Sequence, residues 1–180
     1  MLNSLINNFL PVRNLSNSEF SNFTATSKSF CKSLELQLNI QDNYDIIFKS
    51  GNGRRADCPW IYFKYKHTSK DISPNSGIYP CILINPYGDG FSLSIQKGVD
   101  SPNPLESINN LRSKVNYIKG KFNNSDLAII TPSKLFDLPK SSRPAKYEKS
   151  NILGLEYSLY NQDVLYDLKI LLHIYENIIL

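Results

Sequence analysis

The side chains that carry out most protein chemistry are sparse in this chain and poorly spaced for it. His67 sits in the polar stretch Lys64 to Lys70 and His173 on the terminal apolar segment. Neither has a nucleophile or acid at a spacing that would make it a general base, so each reads as a surface or packing residue. Cys31, Cys58 and Cys81 are far apart and form no C-x-x-C pair, so neither a disulfide framework nor a zinc site is indicated. Asp45, Asp57 and Glu156 are scattered acids, and no strand presents an acid-x-lysine pair. Gly51-Asn52-Gly53 is followed by Arg54 and Arg55, not by the lysine and hydroxyl residue of a phosphate-binding G-x-x-x-x-G-K-[ST] loop. What remains is planar and apolar. Tyr79, Cys81 and Leu83 share one face of a predicted strand, because side chains alternate with a period of two. Such a face suits the floor of a binding pocket; the plain alternative is that Trp60 and Tyr79 are large core residues.

The elements that must position these residues are legible from periodicity. Phe20, Phe23, Ser27, Phe30, Cys31 and Leu34 recur at helical spacing and predict a helix from about Ser18 to Leu36. Tyr44 to Lys49, Trp60 to Tyr65 and Ile78 to Ile84 read as strands. Phe91-Ser92-Leu93-Ser94-Ile95-Gln96 alternates throughout, which predicts a strand with one wet and one dry face. Tyr87-Gly88-Asp89-Gly90 fits a hairpin turn before it. Asn103-Pro104-Leu105-Glu106 has the composition of a helix start; Leu105, Ile108, Leu111, Val115, Ile118 and Phe122 mark the inner face, with Arg112, Lys114, Lys119 and Lys121 off it. A short strand is expected at Leu127 to Thr131. The segment from Pro132 to Pro144 reads as a basic, proline-rich surface loop, and Asp163 to Leu180 as a helix apolar on most of its circumference. The expected fold is α+β, a mixed or antiparallel sheet with flanking helices. It forms one domain over 1–180, with a helical start to about 40, a sheet core over about 44–131, a basic loop over 132–150 and a closing helix.

Composition agrees. The 180 residues are 41% hydrophobic and 20% charged, as in an ordinary globular domain. Twenty Lys plus Arg against sixteen Asp plus Glu leave a net charge of +4, which permits a polyanionic partner without requiring one. No apolar stretch approaches the ~20 residues of a membrane helix, and Met1 to Leu10 lack the basic start of a signal peptide. A cytoplasmic protein is expected.

Two blocks of the chain point further. The first joins Gly51-Asn52-Gly53-Arg54-Arg55-Ala56-Asp57-Cys58-Pro59-Trp60 to Ser76-Gly77-Ile78-Tyr79-Pro80-Cys81-Ile82-Leu83 and Phe91-Ser92-Leu93-Ser94. A glycine loop feeding Pro59-Trp60, then Gly77-Ile78-Tyr79-Pro80 opening a strand, resembles the N-terminal DNA-binding domain of McrB-type modification-dependent restriction GTPases. The second block, Lys146-Tyr147-Glu148-Lys149-Ser150 followed by a helix carrying Asp167-Leu168 and Tyr175-Glu176, is similar to the closing segment of the same domain.

The resemblance implies a reader and not a catalyst. Such a domain binds duplex DNA carrying modified cytosine, with 5-methylcytosine the leading candidate, and turns the base out into an aromatic pocket. Carried over by position, Trp60, Tyr79 and Tyr147 would form the pocket walls and Leu83 would lie near the exocyclic edge. Extruding a base costs a few kcal/mol and stacking returns about 1–3 kcal/mol per base. Burying a methyl group adds only about 0.8 kcal/mol, roughly fourfold, so shape or polar contacts must supply further discrimination. Arg54, Arg55, Lys64, Lys66, Lys140, Arg143, Lys146 and Lys149 are the candidates for phosphate contacts. Where relatives can present a bulky residue to fill the gap left by the base, this chain has Asn52; Arg54 or Arg55 is the alternative wedge, since a planar guanidinium both stacks and donates. No cofactor and no metal are implied. The implied partners are modified double-stranded DNA, an AAA+ GTPase motor and a McrC-type nuclease subunit, with no membrane. The motor lies outside this sequence, as a further part of the protein or a separate chain. Rival readings are a reader of N6-methyladenine or of single-stranded nucleic acid, and a protein-interaction or assembly domain.

Overall fold

The computed structural model describes residues 14–51, 55–56, 58–68, 73–85, 90–98, 104–121, 146, 149–158 and 164–180. The first helix, α1 (Asn17–Leu38), runs slightly beyond its predicted bounds and buries Phe23, Ser27, Phe30, Cys31, Leu34 and Leu38. A capping box sets its start: Ser16 Oγ accepts from the Glu19 amide at 3.3 Å, and the Ser16 amide donates to Glu19 Oε2 at 2.7 Å. Asn39, left-handed at φ 55°, ends it.

Four strands precede a second helix and a fifth follows it: β1 (Tyr44–Lys49), β2 (Trp60–Tyr65), β3 (Ile78–Ile84), β4 (Gly90–Lys97), then α2 (Pro104–Lys121), β5 (Asn151–Ser158) and α3 (Val164–Ile179). The first three strands have the bounds that composition predicts. The sheet order is β1-β2-β3-β4-β5, and each neighbouring pair is antiparallel. The fold is a small single α+β domain, and the mixed-sheet alternative gives way to an antiparallel one.

All three described helices contribute to one large core on a single sheet face, where Ile46, Phe63, Ile84, Leu93 and Leu153 meet Leu34, Val115, Leu171 and Tyr175. Long-range polar contacts pin the layers together. Tyr44 Oη donates to Glu176 Oε1 at 3.0 Å, Tyr175 Oη donates to the Ile78 carbonyl at 3.0 Å, and Lys114 Nζ caps the end of α3 by donating to the Ile178 carbonyl at 2.8 Å. Arg112 donates through Nε and Nη2 to the Asn151 carbonyl, which ties α2 to the start of β5. Arg112 and Lys114 therefore serve the scaffold.

Two expectations are corrected. β4 has no wet face: Ser92, Ser94 and Gln96 are all fully buried. Alternation reports polarity, and polarity can be satisfied inside a sheet by cross-strand partners as well as by water. The sheet core also extends past 131, because Asn151–Ser158 is its fifth strand. Gly154 breaks that segment's apolar pattern, and its packing explains why: a Cβ there would lie 2.9 Å from Asn151 Nδ2 and 3.2 Å from the Leu93 carbonyl oxygen. The strand expected at Leu127 to Thr131, the turn residues Tyr87 to Asp89 and the loop from Pro132 to Pro144 lie outside the described residues.

Candidate nucleic-acid interface

The face of the sheet opposite the large core carries a second, separate cluster: Tyr62, Tyr79, Cys81 and Leu83 are buried, with Ile47 and Trp60 packed against them. Strand alternation puts residues 60 and 62 of β2 on the same side as 79, 81 and 83 of β3, and register aligns them into rows. Trp60 pairs with Leu83 and Tyr62 with Cys81. Leu83 in turn pairs with Ser92, Cys81 with Ser94 and Tyr79 with Gln96. The first row thus runs Lys49, Trp60, Leu83, Ser92, Glu156, and ends in an exposed charged residue on each edge strand.

The rings meet edge to face. Tyr62 and Tyr79 have centroids 6.1 Å apart and planes at 75°, the arrangement favoured by aromatic quadrupoles. Tyr79 is only 1% exposed, whereas Trp60 is half-buried, so Tyr79 lies inside the cluster and Trp60 borders solvent. Burial pushes the Tyr62 hydroxyl's pKa up, with a smaller contribution from Asp45, and raises the Cys81 thiol to about 12. Both are neutral at physiological pH, so the floor of the face is uncharged apart from its margins.

Polar groups continue the face across β4. Cys81 Sγ and Ser94 Oγ share a hydrogen bond at 3.3 Å, Gln96 Nε2 donates to Ser94 Oγ at 3.0 Å, and Ser150 Oγ donates to Gln96 Oε1 at 3.1 Å. The last bond fixes Ser150, the neighbour of the exposed Lys149, at the Tyr79 end of the face. The opposite end receives the glycine loop, because Lys49 and Trp60, which bracket that loop, are register partners. Gly51 adopts φ 117°, a conformation that favours glycine, and the Ala56 amide donates to the Ser50 carbonyl at 2.7 Å to close the turn.

A family model described as the MrcB-like, N-terminal domain matches residues 5–179. The chain belongs to this family. No curated protein matches it. The match covers the described sheet and helices of the MrcB-like domain, including both faces of the sheet.

Within this MrcB-like domain, the residues singled out from sequence are distributed as follows. Trp60, Tyr79 and Leu83 come together on the second face. Tyr147, Asn52, Arg54, Lys140 and Arg143 lie outside the described residues. Arg55 is engaged by its own chain: Nη1 donates to the Leu15 carbonyl at 2.6 Å, Nη2 donates to Asn17 Oδ1, and the guanidinium lies 4.5 Å from the centroid of the Phe20 ring. As a wedge Arg55 would have to abandon all three contacts, so the structure assigns it to anchoring the glycine loop on α1. Lys64 is exposed and shares the side of Trp60 and Tyr62. Lys66 makes a 3.2 Å ion pair with Asp45 and donates to the Gln41 carbonyl, so it is partly committed to the β1–β2 end.

The MrcB-like face also holds residues that sequence reading missed. Tyr62 follows Trp60 by two positions in the same strand, and that spacing alone places it beside the pocket candidates. Ser92, Ser94 and Gln96 were legible as a polar strip, but their place beneath the aromatic cluster depends on register. Among the described residues no set of His, Cys, Asp or Glu side chains is grouped to hold a metal ion, and no helix is long and apolar enough to cross a membrane.

Proposed function

We propose that this domain is the non-catalytic reader of a modification-dependent restriction system, taking a modified cytosine turned out of duplex DNA onto the aromatic face of its sheet. One observation carries the reading: the cluster of Trp60, Tyr62, Tyr79, Cys81 and Leu83 is separated from the main core and lies on the opposite sheet face. The large core is built from other residues, and these form a cluster of their own. Trp60, the least buried of them, offers a plane for stacking, which is worth about 1–3 kcal/mol per base. Leu83, its register partner, gives the apolar contact for a pyrimidine substituent. Tyr147 would supply the opposing ring, and Asn52 or Arg54 in the glycine loop would occupy the vacated stack. Lys64, Lys146 and Lys149 would hold phosphates, with Arg54, Lys140 and Arg143 as further candidates. The domain acts in the cytoplasm as the targeting part of a system whose AAA+ GTPase motor and McrC-type nuclease subunit cut the DNA.

Binding titrations test this with one duplex sequence in which a single cytosine is unmodified, 5-methylated or replaced by N6-methyladenine, and with the single strand, at two salt concentrations. Preference for the methylcytosine duplex is expected, together with a salt-dependent background for all duplexes. Equal affinity for every duplex would refute modified-base reading, and an absence of salt-sensitive binding would refute the nucleic-acid role. Trp60→Ala and Tyr79→Ala should remove the preference and leave the background.

A further inference from the structure

One flank of α1 carries a groove that the aromatic face does not account for. Asn17, Phe20, Ser21, Thr24 and Lys28 share this side of the helix through three- and four-residue spacings, and Arg55 closes the groove from the glycine loop, around a volume of about 450 Å³. Two of the lining side chains are cationic and none is acidic. Among the described residues neither cation has a carboxylate partner. Arg55 meets the Leu15 carbonyl, the Asn17 amide oxygen and the Phe20 ring, all neutral, and Lys28 is exposed. A half-buried charge among neutral groups is under-compensated. The first acid in the sequence is Glu19, so the segment leading into α1 brings no carboxylate to the groove. The helix packs on the large-core face through Phe23, Phe30 and Leu34, so the groove belongs to the layer on the far side of the sheet from the aromatic cluster. A duplex lying on that cluster leaves the groove open.

We propose that this groove is a docking site for an acidic, extended segment of a partner protein. From Asn17 to Lys28 the helix rises about 16 Å, the length of about five residues of extended chain. Arg55 spends one N–H of Nη1 and one of Nη2 on its own chain, which leaves further donors for an incoming carboxylate. Lys28 offers a second cation at the other end, and the hydroxyls of Ser21 and Thr24 between them can pair with a peptide backbone. The half-buried Phe20 ring gives the segment an apolar contact. A nucleic-acid backbone has the same sign of charge, but its place is on the opposite side of the sheet, which favours protein here. The proposal stands independently of the base pocket.

Fluorescence anisotropy on the whole 180-residue chain tests this with a labelled peptide, Glu-Asp-Leu-Glu-Asp, and its amide counterpart, Gln-Asn-Leu-Gln-Asn. The acidic peptide should bind in a salt-sensitive way and at least about tenfold more tightly than the amide. Lys28→Glu should weaken it about fivefold or more. Lys32→Glu, the same charge reversal one turn further along α1 at an exposed residue outside the groove, should leave the affinity within about twofold. An unmodified duplex should bind together with the peptide and not displace it. Equal binding of the two peptides, or equal losses from the two lysine variants, would show attraction to net charge alone and overturn the site. Displacement by the duplex would assign the groove to DNA phosphates and overturn the protein partner. None of these readouts uses modified DNA, so a failure here is distinct from a failure of the base-pocket reading.

Discussion

Arg55 holds the Leu15 carbonyl, the Asn17 side chain and the face of the Phe20 ring together, and so joins the glycine loop to the start of α1. The residue is half-buried, and hydrogen bonds from a charged donor are worth more than those from a neutral one. Arg55→Ala is expected to lower stability by about 1–2 kcal/mol in urea unfolding, with DNA affinity per folded molecule nearly unchanged. A large loss of affinity with unchanged stability would restore Arg55 as a DNA-contacting group. Its residue type was compatible with stacking on a base. Only the position of Leu15, Asn17 and Phe20, roughly forty residues earlier in the chain, settles what it stacks on.

At the scale of the element, two predictions concern how strands and helices are joined. Gly98 follows β4, where its amide donates to the Gly77 carbonyl at 2.7 Å and a Cβ would fall 2.3 Å from the Asn75 carbonyl carbon and the Ser76 nitrogen. Backbone cannot yield as a side-chain tip can, so Gly98→Ala should cost more than the ~1 kcal/mol of an average substitution, read as a lowered urea midpoint, and should loosen the entry to β3 that presents Tyr79. The second concerns α1. Hydrogen bonds from the Ser16 side chain and backbone hold the Glu19 carboxyl below its ordinary value of 4.5. A depressed carboxylate stabilises the fold fully above its unfolded pKa, and the contribution fades as pH falls through the folded value. The melting temperature should therefore decline below about pH 4.5, and Glu19→Gln should make that decline shallower; an identical acid profile in the variant would show that the capping box adds nothing. The bounds of α1 and of the first strands were readable in the sequence because they depend on neighbours within a few residues. β5 was not, since Gly154 interrupts its pattern for the sake of contacts with Leu93 and Asn151.

For the whole molecule, a net charge of +4 is modest, and its placement matters more than its size. Arg112, Lys114 and Arg55 serve internal contacts, whereas Lys64 stands exposed on the side of the aromatic cluster and Lys149 beside Ser150 near its other end. Each lysine that neutralises a phosphate steepens the dependence of log affinity on log salt by about 0.9. Lys64→Ala should thus reduce that slope by about 0.9 on modified and unmodified duplexes alike, without altering the ratio between them. A change confined to the modified duplex would instead make Lys64 part of the pocket.

The sequence by itself determined which segments become α1 and β1 to β4, that the chain is α+β, and which aromatic residues share the side of a strand. Those properties follow from local periodicity and from the physical chemistry of single segments. Tertiary structure alone decided that the aromatic side is a second face distinct from the core, that Arg55 turns inward, and that Trp60, Leu83 and Ser92 form one row. Register joins residues that are tens of positions apart, and it is set by the simultaneous pairing of all five strands, a condition no local pattern expresses.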